Sequence, residues 1–230
     1  MRFGGVSYLN ARPLIEGLEE LVLDTPAGLA RRFQLGYLDV GLLPVAAGEA
    51  LGLERIGSLG IAADGPVQSV LLFHACELAQ VRRIALDPAS RTSQALSLLI
   101  LREAYGLDPE VVAAPRGADA ELVIGDPALV RARAGGRHLD LAAEWKRLTG
   151  LPFVFAAWYG AREAEPDLEA AYARGTARIP DHAREFGRML RIPEQELEAY
   201  LRQSVRYRLG PREEQGLRLF REKAASLGLL

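Results

Sequence analysis

The sequence predicts an α/β fold of two lobes with a helical C-terminal tail. Three observations carry this. Short apolar strands alternate with amphipathic helices through the first two thirds of the 230 residues. Two strand-like runs, at residues 69–74 and 152–158, read as crossings between two such blocks. From Asp167 onward the pattern is helical, with breaks expected at Gly175, Pro180, Pro193 and Gly210-Pro211.

Taken in order, residues 2–6 read as a strand and hand over to a helix from about Asn10. Ser7 and Asn10 are candidate caps, and Pro13 fits an early helical position because its missing N–H is not needed there. Residues 20–23 form a second strand. Thr25 caps a helix that Pro26 opens and Gly36 ends. The continuous apolar run 40–43 is typical of a buried parallel strand, and Pro44 stops it. A longer strand, 67–73, follows the turn Asp64-Gly65-Pro66. The second block begins near Ala79. Its strands are 83–86, 111–113 and 122–124; its helices are 92–105, with an apolar stripe at Leu96, Leu99 and Ile100, then 127–133 and 141–148. The strand 151–158 returns to the first block. Lobe 1 is therefore expected to comprise 1–73 with 155–230, and lobe 2 to comprise 74–154. The pattern resembles the periplasmic-binding-protein-like (type II) architecture, with a ligand cleft between lobes.

Composition narrows the function classes. Hydrophobic residues are 49% and charged residues 25%, an ordinary balance for a globular chain with a sizeable core. The formal charge of −2 offers no field for nucleic acid or an anionic membrane, so neither is expected as partner. Cys76 stands alone and His74, His138 and His182 lack ligand spacing, so no disulfide and no metal are expected. No apolar run is long enough to span a bilayer and the opening residues read as a strand, so a cytoplasmic protein is expected. Phosphate-loop, dinucleotide and nucleophile-elbow motifs are lacking. The helical tail can cover the first lobe or form a homodimer face.

Five segments carry candidate chemistry. The octet Ser7-Tyr8-Leu9-Asn10-Ala11-Arg12-Pro13-Leu14 stands where a first strand meets a first helix, the position at which ligands sit in open α/β sheets. Ser90-Arg91-Thr92-Ser93 opens a long helix whose first amides are free to hold a carboxylate; plain N-capping accounts for the same residues. Gly125-Asp126 closes a strand, where Gly125 would admit close backbone approach and Asp126 would accept a hydrogen bond; ordinary turn chemistry is the competing reading. Ser69 sits beside the first crossing, as a donor or as a solvent-facing serine. The aromatic run Phe153-Val154-Phe155-Ala156-Ala157-Trp158 reads as core that would also suit as a flat wall for a cyclic ligand. Asp39 reads as structural.

The octet and Ser-Arg-Thr-Ser, together with 39–44, 65–70, 86–99, 122–129 and 145–158, resemble the chorismate dehydratases of the futalosine route to menaquinone, the MqnA family. The related MqnD enzymes share the fold but rely on a histidine base, and residues 149–158 contain no histidine. The resemblance implies a lyase that converts chorismate, a small-molecule substrate, to 3-[(1-carboxyvinyl)oxy]benzoate without a cofactor. Asn10 and Asp126 are then the candidate catalytic residues. Ser7, Tyr8, Arg12, Ser69, Ser90, Arg91, Thr92, Ser93 and Gly125 are the candidate substrate-binding set. Asp126 and the substrate's own enolpyruvyl carboxylate are both candidates for the base. A non-catalytic carboxylate-binding or sensing module on the same fold is the alternative.

Overall fold

Eleven strands divide between two sheets in a computed structural model that describes residues 1–230. The chain opens with β1 (Phe3–Val6), a 3-10 turn at Leu9–Ala11, α1 (Arg12–Ile15), β2 (Leu21–Asp24), α2 (Pro26–Gln34), β3 (Val40–Pro44), α3 (Val45–Ala50) and β4 (Arg55–Ala63). It then crosses to β5 (Val70–His74), β6 (Arg83–Ala85), α4 (Arg91–Tyr105), β7 (Glu110–Val112), β8 (Ala120–Ile124), α5 (Asp126–Arg133), β9 (His138–Asp140) and α6 (Leu141–Thr149). It returns through β10 (Phe153–Gly160) and ends with α7 (Glu165–Ala177), α8 (Ile179–Leu190), α9 (Glu194–Ala199), a π-turn at Tyr200–Ser204, β11 (Arg206–Arg208) and α10 (Pro211–Ser226).

The first sheet has the order β11-β4-β10-β3-β1-β2 and the second β7-β6-β8-β5-β9. Strand β1 pairs parallel with both β2 and β3, while β10 returns antiparallel between β3 and β4. Strand β5, expected in the first lobe, instead pairs antiparallel with β8 and β9 in the second sheet. The passage between sheets thus runs through residues 64–69 going out and 150–152 coming back. Asp140 ties the two ends of lobe 2 together: its carboxylate caps α6 through the Ala142 and Ala143 amides and accepts the Gln68 amide at 2.7 Å.

Several elements differ from the sequence reading for local reasons. Strand β4 carries Gly57, Ser58 and Gly60, residues of low strand preference, so its pattern is weak although its second half, residues 59–63, is buried throughout. Pro44 ends β3 but also caps α3, a helix the reading passed over. Thr25 caps α2 as expected, accepting the Gly28 amide at 3.1 Å. Ser7 and Asn10 do not cap; Tyr8 holds the first cap position without a side-chain bond. In the tail, Gly175 does not break α7. It lies where α7 crosses Pro13, and a Cβ there would collide with the Pro13 carbonyl. Pro180 stands in the first turn of α8, where proline is favoured.

One large apolar core runs through both lobes. The tail is part of it: Phe220 of α10 packs edge-on against Trp145 and Phe153, with ring centroids 6.2 and 4.9 Å apart. Asp39 is structural, as expected, holding Arg2 through its amide at 2.8 Å and its guanidinium at 2.6 Å.

Candidate active site

The seam between lobes is made of strand ends and helix starts. Strands β1, β3 and β8 direct their carboxyl ends at it, the ligand position of open α/β sheets. A narrow cavity of about 50 Å³ lies there, within a cleft whose whole empty space, open solvent included, is about 450 Å³. Its polar wall comes from both lobes: Tyr8 and Asn10 from the first turn, Ser69 from the crossing, Ser90 and Ser93 from the start of α4, and Gly125 from the end of β8. Its apolar wall is Val6, Pro26, Pro44, Ile61, Val67, Val70, Ile124, Phe155 and Ala156. No charged side chain lines it.

Asn10 supplies the most informative atom. Its Oδ1 is buried and has no hydrogen-bond partner in the protein. Leaving an amide oxygen dry and unpaired is costly, so this position is suited to a ligand donor. Across the cavity Ser90 caps α4, accepting the Ser93 amide at 3.3 Å, and the Ser93 hydroxyl lies 3.2 Å from the Ser90 hydroxyl. The start of α4 therefore offers amide and hydroxyl donors at the positive end of a 15-residue helix. Burial, then the charges of Asp87 and Asp126, raise the Tyr8 phenol to about 12, so it stays protonated. Tyr8 is seated by Gly125. That glycine has φ +68°, and a Cβ would lie 2.5 Å from the Tyr8 ring. The close approach that Gly125 permits is thus to Tyr8.

The other five candidates face elsewhere. Asp126 is buried but its Oδ1 accepts the Leu9 amide at 2.9 Å, across the seam. Burial pushes its carboxyl up to about 6, against the smaller opposing effects of the Leu9 amide and Arg12. Thr92 Oγ1 accepts the Ala46 amide at 3.0 Å and so caps α3 of the opposite lobe. Arg91 is exposed on the outer side of α4, in a separate groove with Ala27 and Arg31. The Arg12 guanidinium stacks 5.0 Å from the Phe186 ring centroid. The Ser7 amide donates to the Asp24 carbonyl at 3.1 Å, and its side chain is not in the wall. Together with the Ala27 amide on the Ala89 carbonyl at 2.9 Å, the Asp126 and Thr92 bonds clasp the lobes around the cavity.

Sequence reasoning missed most of the apolar wall, because its nine members are scattered over seven strands and helices and the outgoing passage, and share no local pattern. Phe155 is the aromatic that does face the cavity; Trp158 is core. Tyr200 was also missed. Its phenol donates to Ser69 Oγ at 2.8 Å from behind the wall.

The sequence model of the family described as menaquinone biosynthesis matches residues 1–226. The chain belongs to that family. A chorismate dehydratase of Thermus thermophilus is 33% identical to it, over 96% of this chain and 93% of that one. Among solved structures, a protein of Archaeoglobus fulgidus superposes with a TM-score of 0.74 at 17% identity, covering 100% of this chain and 98% of that one. A Candida albicans protein described as having the generic periplasmic binding protein fold superposes with a TM-score of 0.63 at 10% identity, covering 100% and 90%. The two-lobed fold expected from the strand pattern is the one these structures share.

Proposed function

We propose that this family member dehydrates chorismate to 3-[(1-carboxyvinyl)oxy]benzoate in menaquinone biosynthesis, as a carbon–oxygen lyase working without metal or cofactor in the cytoplasm. One observation carries the reading: hydroxyl and amide groups of both lobes, including the orphaned Asn10 oxygen, converge on one uncharged cavity. It is supported by the chorismate dehydratase relative, which is similar over nearly the whole chain.

The substrate brings two carboxylates, and a cleft without lysine or arginine must hold them by neutral donors. Ser69, Ser90 and the first amides of α4 are such donors, and the Ser93 hydroxyl donates to Ser90 behind them. The C3 proton is acidified by conjugation through the diene to the ring carboxylate. Hydrogen bonds to that carboxylate stabilise the charge that builds there when the proton leaves, as an oxyanion hole does. The C4–O bond then breaks, the ring becomes aromatic, and the departing hydroxide combines with the abstracted proton as water.

The wall holds no side chain suited to act as base. Tyr8 is protonated, and Asp126 is outside the wall with the Leu9 amide on its carboxylate. The enolpyruvyl carboxylate of the substrate takes the C3 proton in this reading, and the protein orients it and excludes water. Asn10 is the orienting contact beside the reacting ring.

Incubation of the purified protein with chorismate tests the proposal, read by ultraviolet absorbance and mass spectrometry. Loss of one water with a new benzoate spectrum is the expected result. Saturable binding with chorismate recovered intact would mean a binding module instead.

A further inference from the structure

The tail contributes to the site through one turn. Tyr200 opens a five-residue π-turn between α9 and β11, an uncommon geometry that tends to occur at functional sites. The two ends of that turn grip two consecutive residues of the crossing. At its far end Ser204 Oγ accepts from Gln68 Nε2 at 2.9 Å. Gln68 is one of three non-glycine residues with positive φ, at +65°. At its near end the fully enclosed Tyr200 phenol bonds Ser69 Oγ at 2.8 Å.

We infer that Tyr200 is a positioning residue of this site, which turns the Ser69 hydroxyl toward a bound carboxylate. The identity of the ligand rests on the dehydration reading; the hydrogen-bond logic does not. The Tyr200 phenol has one proton and gives it to Ser69 Oγ. Burial, its largest influence, keeps that proton in place. Ser69 must then direct its own proton elsewhere. No protein acceptor takes it, and Ser69 lines the cavity. A chain of two hydroxyls also polarises the second, making it the better donor to an anion. Elsewhere in the wall, Asn10 Oδ1 is the buried acceptor with no partner. A cyclohexadiene dicarboxylate with one ring hydroxyl offers both complements.

The test is a double-mutant cycle on Tyr200→Phe and Ser69→Ala, with Tyr207→Phe as control. Tyr207 is a neighbouring buried phenol whose oxygen has no partner, so its loss reports only the packing effect of removing such an oxygen. Binding of 3-hydroxybenzoate is measured by calorimetry, with kcat and KM for chorismate and the melting temperature alongside. Tyr200→Phe should stay folded, weaken 3-hydroxybenzoate about ten-fold, as loss of one buried hydrogen bond does, and raise KM in step. On a Ser69→Ala background the same substitution should change binding by less than about two-fold. Tyr207→Phe should bind as wild type. Wild-type binding by Tyr200→Phe, an undiminished loss on the Ser69→Ala background, an equal loss in Tyr207→Phe, or no binding of the probe to wild type would each overturn the inference. Should Tyr200→Phe fail to fold, Ser69→Ala alone must lose binding to a similar extent, and unaltered binding there would overturn it. If binding follows the cycle while wild type leaves chorismate intact, the dehydration reading fails and the positioning role stands.

Discussion

The carboxylate of Asp126, in the second lobe, accepts the backbone amide of Leu9, in the first, at 2.9 Å. Leu9 stands next to Asn10 in the 3-10 turn, so this bond fixes where Asn10 enters the cavity. It is also made by a carboxyl that burial pushes up to about 6.

That shift sets a pH dependence of stability. The folded chain holds the Asp126 proton in a range where the unfolded chain, with an ordinary value of 3.8, has lost it. Stability from this group is therefore fullest below about pH 4 and falls as pH rises through 4 to 6, to a cost of roughly 3 kcal/mol above that. Asp126→Asn keeps an acceptor for Leu9 and removes the charge. Denaturant unfolding of the two proteins should find the variant at least as stable as wild type at pH 7.5, with the difference closing toward pH 4. A variant markedly weaker at pH 7.5 would contradict this.

The same substitution separates two bases. With the substrate's carboxylate taking the C3 proton, Asp126→Asn keeps substantial turnover of chorismate. A kcat lower by several orders of magnitude, with substrate still bound, would make Asp126 the base.

Asn10→Ala removes the orphaned oxygen and the amide beside it. Its kcat should fall about 100- to 1000-fold, the range for loss of one oriented donor or acceptor at a reacting centre, with the fold intact by circular dichroism. Wild-type kcat in this variant would remove Asn10 from the chemistry.

Gly125→Ala puts a methyl group into the Tyr8 ring at a backbone conformation, φ +68°, that side chains avoid. It should lower stability by roughly 1–3 kcal/mol and weaken ligand binding by displacing Tyr8 from the wall. A melting temperature equal to wild type would contradict the close packing described for this pair.

Periodicity made most of the fold legible, because buried parallel strands and amphipathic helices carry strong local patterns. Strand β3 and the long helix α4 are examples. Where tertiary contacts override local preference, the pattern misleads. Gly175 reads as a helix break, yet it is the point where α7 meets the Pro13 backbone. Within the site, the polar residues that reach the cavity, Tyr8, Asn10, Ser69, Ser90, Ser93 and Gly125, all sit in segments singled out by their motifs. The motifs do not tell which neighbour turns inward. Thr92 and Asp126 belong to the same segments but spend their acceptors on amides of the opposite lobe. Tyr200 lies more than a hundred residues from its partner Ser69 and has no local signal at all.

A crystal structure of Asn10→Ala grown with chorismate bears most directly on whether both lobes hold one substrate. The account predicts intact chorismate in the cavity between Ser69, Ser90 and Phe155, with a carboxylate at the start of α4 and the ring hydroxyl over position 10. Chorismate bound on an outer face of either lobe, with the inter-lobe cavity empty, would contradict it.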